Sequence, residues 1–370
     1  MIDSWLDRLA NTIARYSLSI QPGDVTVISG EPASQPLLVK LFQTLVIVGA
    51  RPLIRLSSDI CLNSRVSSLA DGVHRYINPL QIDDGTPIQW SVGIWTCDYL
   101  KQFSEKSSST DMEEPVGVPS TFSVDELSQL NIRRFITIFP TRATADALGI
   151  SLERLQDLLI KSAYLDHLQP ERAWRTLHAQ QLRLCEYLVR SKELRVVTEN
   201  GTDLTVNIQD RPWISGGGHA NLPDGEVYVS PWETSAHGTL VVDAPLIYRS
   251  DWIRGLRLRF LHGKVVDATA QEGEKALHHL LATDPGASVI GEFGLGTNPR
   301  RSTITGITLL DEKIAGTAHV ALGAAPPATQ GTNRSSIHRD LLVDPRRTGR
   351  IEVDGKPLLL SQQSSLWRNV

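Results

Sequence analysis

Two histidines and a handful of acids in the last 150 residues are the side chains best suited to chemistry. His338 and Asp340 form an H-x-D within SSIHRDLL. On an extended segment, residues two apart point to the same side, so imidazole and carboxylate converge there. His319 stands upstream in DEKIAGTAHVALG, inside an apolar run, and Glu312 precedes it by seven residues. Glu292 sits among glycines in GEFGLGTNP, which let the backbone come close to a bound group. Glu226 follows a Pro-Asp-Gly turn in NLPDGEVYVSP at the start of a strand, with Tyr228 two residues on. Singly, each fits an ordinary structural role. Together they supply imidazoles and carboxylates but no thiolate, a donor set for Zn²⁺, Co²⁺ or Mn²⁺. The glycines at 291, 294 and 296 do not make a phosphate loop: their order is G-x-x-G-x-G, no lysine follows, and Asn298-Pro299 blocks an immediate helix.

These residues must be carried by a folded scaffold, and the chain has material for one. Its 370 residues are 41% hydrophobic and 21% charged, and the length fits two domains. Residues 25–29 and 53–57 read as strands flanking a helix over 35–48, with Ser34 as its N-cap and Gly49 as its stop. Residues 91–95 and 134–139 extend the parallel sheet of this α/β half. Residues 104–124 read as a polar surface loop. Leu152, Leu155 and Leu159 mark one helix, and Ala173, Leu177, Leu184 and Leu188 a second after Pro170. Beyond residue 192 the pattern alternates, with hairpin turns at Asn200-Gly201 and His262-Gly263. The expected architecture is therefore an open parallel α/β domain over 1–192, followed by a mixed, β-rich metal-binding domain over 193–370.

Composition narrows the partners. A net charge of −4, from 37 basic and 41 acidic residues without long like-charge runs, speaks against nucleic acid. No apolar stretch approaches the roughly eighteen residues of a membrane span. The N-terminal segment reads as an amphipathic helix, with Trp5, Leu6, Leu9, Ile13 and Tyr16 on one face, rather than a signal peptide. Cys61, Cys97 and Cys185 are sparse and unpaired in spacing, which fits reduced thiols in the cytoplasm.

In order and spacing, these motifs resemble the aminopeptidase T / aminopeptidase S family of dinuclear metallo-aminopeptidases. The resemblance runs nearly end to end. It is carried by YSLSIQPGDVTVISG, ITIFPTRATADALGISLERL and the Trp174-Arg175 helix, and then by GTDLTVNI, NLPDGEVYVSP, GEFGLGTN, DEKIAGTAHVALG and SSIHRD. It implies metal ligation by Glu226, Glu292, His319, His338 and Asp340, with Glu312 at an accompanying acid position. It further implies two divalent ions sharing a carboxylate and a water, with Glu292 as the shared or nearby acid and as the proton acceptor. The substrate would be a peptide or related amide with a free N-terminal amine, and the protein a homodimer.

Two positions depart from the family pattern. The tyrosine that follows A-L-G is replaced by Pro326, and the aromatic within H-x-D by Arg339. Arg339 or Tyr228 would have to take over the support of the oxyanion. A second reading stays open, because His319, His338 and Asp340 also make the set of a mononuclear non-haem Fe(II) dioxygenase. A ring-cleaving dihydroxypyridine dioxygenase is similar to this family's metal domain. A third reading is a non-catalytic member that binds metal or peptide.

Overall fold

The computed structural model describes residues 4–56, 87–97, 131–248 and 251–360. The surface loop expected over 104–124 and Cys61 lie outside them. The described chain forms two compact units, one from residues up to 171 together with 218–223, the other from 172–217 and from 224 onward.

The first unit opens with α1 (Trp5–Thr12), capped by reciprocal hydrogen bonds between Ser4 and Asp7 and continued by a π-helical turn over Ile13–Ser17. Its sheet contains β1 (Val25–Gly30), β2 (Arg51–Leu56), β3 (Trp90–Trp95), β4 (Arg133–Ile138) and the short β8 (Asn221–Leu222), in the order β2-β1-β3-β4-β8. All four pairings are parallel; the apolar runs predict the three among β1–β4, while β8 comes from the segment read as part of the β-rich half. Helix α2 (Gln35–Ile47) makes the crossover between β1 and β2 and stops before Gly49, whose φ of 87° only glycine adopts readily. Ser34 is the N-cap by position, but its hydroxyl donates to the Glu31 carbonyl and caps nothing. Helices α3 (Arg142–Ala147) and α4 (Leu152–Ser162) follow, each with a threonine or serine hydroxyl at its N-cap.

The second unit is reached through α5 (Pro170–Leu188), which has proline at its first residue, where the missing N–H is harmless. Seven strands build one antiparallel sheet: β5 (Glu193–Thr198), β6 (Asp203–Asn207), β10 (His237–Val241), β13 (Arg257–Leu261), β14 (Lys264–Thr269), β18 (Gly349–Val353) and β19 (Lys356–Pro357). The Asn200-Gly201 and His262-Gly263 turns join β5 to β6 and β13 to β14, as expected. The ribbon β11 (Leu246–Tyr248) and β12 (Asp251–Ile253) and helix α6 (Glu274–Leu281) lie between sheet strands in sequence.

A second antiparallel sheet has the order β17-β16-β15-β9-β7, from β7 (Ile214–Gly216), β9 (Glu226–Val229), β15 (Ile290–Gly296), β16 (Ala318–Gly323) and β17 (His338–Val343). Its alternate residues Val227, Val229, Phe293, Leu295, Val320, Leu322, Leu341 and Val343 enter one core with Val196, Leu204, Leu240, Leu258 and Phe260 of the larger sheet. Burying each such side chain contributes roughly 1.5–3 kcal/mol. That payload fixes which face of β9, β15, β16 and β17 turns inward, because a one-residue slip would expose it all. The remaining residues of those strands are thereby forced onto the opposite face. Mixed α/β architecture, with a parallel sheet first and antiparallel sheets after it, is the class read from the sequence.

Candidate metal centre

The face left over by the core carries the acids and imidazoles. Glu226 and Tyr228 come from β9, Glu292 from β15, His319 from β16, and His338 and Asp340 from β17. The registers align them in rows. Asp340 pairs with Ala321, which pairs with Glu292; His319 pairs with Gly294, which pairs with Tyr228; Gly296 pairs with Glu226. Small residues between the functional ones leave room for long side chains to lean together. A β-carbon at Gly294 would stand 2.0 Å from His319 Nε2, so this glycine makes space for an imidazole rather than for a bound group. Gly291 serves strand approach instead, since a β-carbon there would stand 2.2 Å from the Gly323 carbonyl.

Carboxylates and imidazoles alternate across the sheet. His319 Nε2 is 3.1 Å from Glu226 Oε2 and 3.2 Å from Glu292 Oε1. The other oxygen of Glu292 is 3.9 Å from His338 Nε2, which in turn is 3.4 Å from Asp340 Oδ1. Three groups therefore offer ligand atoms within 4.8 Å of one another: Glu226, Glu292 and His319; Glu292, His338 and Asp340; and Glu312, His319 and Asp340. Glu292 joins the first two. Among the described residues, each such group contains a single histidine, so His319 and His338 do not come together with Asp340 as one facial set.

The residues fit a cation. Glu226 Oε2 and Asp340 Oδ1 are buried and accept no hydrogen bond, an expensive condition that a bound cation relieves. His338 Nδ1 lies 2.7 Å from the Ala324 carbonyl, which can only accept; Nδ1 therefore carries a hydrogen, and Nε2 is the ring nitrogen turned to Glu292 and Asp340. Both histidines and all the facing donors are nitrogen or oxygen, the set that suits zinc-like ions.

Without a metal the charges settle among themselves. Burial pushes the Glu312 carboxyl well above the usual range, with Asp340 and Glu226 adding repulsion and Lys313 opposing it. Burial likewise raises Glu292, although His319 donates to it. Burial works against the charged form of Glu226 too, but Lys313 and His319 outweigh it and hold that carboxyl low. Tyr228 is raised by burial and by the neighbouring carboxylates of Glu292 and Glu226, so its hydroxyl stays protonated and able to donate.

Sequence reasoning missed three contributors. Lys313, entirely buried, sets its ammonium 2.7 Å from Glu312 Oε1 and 3.7 Å from Asp224 Oδ1, and also contacts Glu226 Oε1. Asp224 was hidden in the Pro-Asp-Gly turn. Gln181, on α5, places its amide nitrogen 3.1 Å from both the Gly216 and Glu226 carbonyls and 2.9 Å from Thr297 Oγ1, bracing the β7–β9 edge. The loop that carries Glu312 and Lys313 is pinned by Asp311, which is buried, paired with Arg301 at 3.0 Å and hydrogen-bonded by Thr305 and Gly306.

The structure brings Glu226, Glu292, Glu312, His319, His338 and Asp340 together, with Tyr228 on the same sheet face. It does not bring Arg339 to them. Arg339 pairs with Leu322 and alternates with His338 and Asp340, so its β-carbon points to the face of Leu341 and Val343. Pro326 follows the strand two residues after Ala324 and precedes a 3₁₀ turn over Pro327–Thr329.

Comparisons with known proteins place the chain in a family. The family model described as thermophilic metalloprotease (M29) matches residues 2–359. Aminopeptidase 2 of Geobacillus stearothermophilus is 24% identical over 391 residues, covering 95% of this chain and 93% of that protein. Aminopeptidase T of Thermus aquaticus is 29% identical over 234 residues, 55% of each. The solved structure of wild-type AmpT from Thermus thermophilus superposes with a TM-score of 0.73 at 21% identity, covering 96% of this chain and 97% of that one. A 2,5-dihydroxypyridine dioxygenase from Pseudomonas putida KT2440 shares the fold with a TM-score of 0.59 at 14% identity, over 98% of each chain.

Proposed function

The chain belongs to the thermophilic metalloprotease family M29, and from that premise we propose that it is a metal-dependent aminopeptidase, removing the N-terminal residue of a peptide or related amide at a pair of divalent ions. The observation that carries the pair is Glu292, which turns one oxygen to each of two imidazoles belonging to different ligand groups. One position is held by Glu226, Glu292 and His319, the other by Glu292, His338 and Asp340, with Glu312 beside both His319 and Asp340.

Charge supports the same number. Five carboxylates (Asp224, Glu226, Glu292, Glu312 and Asp340), all ionised as bound metal would hold them, share the cluster with one ammonium, Lys313, which contacts three of them; with neutral imidazoles the four charges left over match two divalent cations. Buried charge that is not compensated is too costly to keep. The donor set favours zinc, cobalt or manganese over a single iron, and the separation of the two histidines into different groups weighs against the dioxygenase reading.

Divalent ions at these positions lower the pKa of a water and polarise a carbonyl. The chain's own residues do the rest. Besides standing between the two positions, Glu292 would take the proton of the attacking water on its carboxylate and pass it to the leaving amine. His338 is locked as a ligand by its Nδ1–H donated to Ala324. Tyr228, kept protonated, offers a hydroxyl to the developing oxyanion in place of the tyrosine that Pro326 has replaced.

No helix among the described residues is long and apolar enough to cross a membrane. A cytoplasmic homodimer completes the proposal, on the sparse thiols and the family resemblance. The experiment is hydrolysis of a free-amine dipeptide and of its N-acetylated form by protein purified without chelator, with metal counted per chain. Two equivalents of zinc, cobalt or manganese and cleavage of the free-amine peptide alone are expected. One equivalent of iron, or no cleavage with any of the three metals, would overturn it.

A further inference from the structure

Lys313 belongs to neither ligand set, yet it touches more of the cluster's carboxylates than any residue that does. It follows α7 (Thr308–Asp311) by two positions, its carbonyl accepts from the Asn298 N–H at 2.9 Å, and its side chain runs wholly buried to Glu226, Glu312 and Asp224. Lysine is almost never buried without a partner, and here one ammonium serves three acids. It also divides Glu226, contacting Oε1 while Oε2 faces His319, so that one oxygen of this residue is left for a cation.

We propose that Lys313 is the cluster's own counter-ion, a positioning residue that holds the carboxylates together while the chain carries no metal and yields part of that task to the metals once they bind. The second half rests on the metal reading above; the first does not. Five acids crowded together, three on the sheet face and two from the turn and loop beside it, repel one another, and the ligand set would scatter before any ion arrived. A cation built into the chain keeps Glu226 and Glu312 at their stations and cuts the reorganisation that metal binding demands. A side chain that merely fills space would matter equally with and without metal. A counter-ion matters more without it.

The test is thermal unfolding of the full chain and of Lys313→Met, Lys313→Arg and Lys313→Met/Glu312→Gln, each in chelator and with excess zinc. In chelator, Lys313→Met is expected to melt roughly 5–10 °C below the parent, with zinc removing more than half of that deficit. Lys313→Arg retains the charge and most of the stability. The double variant removes one negative charge with the positive one and recovers much of the chelated deficit, which keeps the proposal testable even if Lys313→Met folds poorly. Equal deficits with and without zinc, no deficit in chelator, or no recovery in the double variant would overturn it. Failure of zinc to stabilise the parent chain would count against the metal reading, while the chelated comparison of single and double variants still decides the role of Lys313.

Discussion

Gly294 lies directly across the strand pair from His319, and a single added methyl group at 294 would stand 2.0 Å from the imidazole Nε2. Backbone cannot retreat there, since β15 is the central strand of its sheet. Gly294→Ala is therefore expected to push the imidazole off its station, reducing metal content at the position it serves and lowering peptidase activity by about 100-fold or more. Metal analysis beside circular dichroism checks this: unchanged metal with unchanged activity would show that the imidazole has room to move.

Of the three ligand groups, the two assigned above to the pair of ions share only Glu292, which sets up a contrast between variants. Glu292→Ala removes an oxygen from both positions and is expected to leave well under one equivalent of metal per chain. His338→Ala touches one group and should keep about one equivalent, held by Glu226, Glu292 and His319. Activity in both should fall by roughly 10³-fold or more, the range seen when metal catalysis or oxyanion support is lost. Equal metal loss in the two variants would mean that the positions are not independent.

Pro326 has neither a hydroxyl nor a backbone N–H to donate. It stands two residues after Ala324, whose carbonyl receives the His338 Nδ1–H, so a longer polar side chain at 326 begins close to the ligand strand. Pro326→Tyr is expected to raise kcat on a free-amine dipeptide about tenfold, part of the 10²–10³ that one oxyanion donor can supply. A flat response would assign the oxyanion to Tyr228, and Tyr228→Phe would then carry the loss.

The loop before His338 is tied down by Asp284. The Ser336 backbone N–H contributes most to holding its carboxyl down at about 2, against the opposing effect of burial, helped by the Ser336 and Ser335 hydroxyls and the Gly286 N–H. A carboxyl lowered on folding stabilises the fold above its unfolded pKa, and that contribution is lost as pH falls through the folded value. The window therefore runs from the ordinary 3.8 down to about 2. Asp284→Asn should melt below the parent at pH 6, and the gap should narrow between pH 4 and pH 3. A gap that is constant with pH would assign the loss to geometry alone.

Much of this was legible in the chain. Alternation placed His338 and Asp340 on one side, and the same rule places Arg339 on the other, an outcome that the H-x-D motif itself contains. The parallel strands of the first unit and both glycine hairpins of the second follow from local pattern, because φ at Gly49 and Gly263 and the run of apolar residues are decided within a few residues. Lys313 was not legible. Lysine ordinarily marks a solvated face, and nothing local to D-E-K says that a loop pinned by Arg301 and Asp311 will turn it inward. Gln181 was equally silent, since its partners Gly216, Glu226 and Thr297 are remote in sequence. Ser34 stands at the N-cap as read but makes no capping bond, because the 3₁₀ turn over Pro32–Ser34 runs into the helix and holds it at ψ 3° instead of extended.

The distribution of the ligands along the chain has a temporal consequence. Glu226 is carried by β9 and Asp340 by β17, with two helices, a ribbon and three strands of the other sheet emerging between β9 and β17. No local segment can assemble a ligand group in advance, and contacts of such sequence separation form slowly. A nascent chain ending before Ser335 has the first group's residues but lacks the edge strand that closes the second. On the proposed pair of ions, full metal capture would be a late event that reports the docking of β17, and a chain released too early would be unable to retain its full complement.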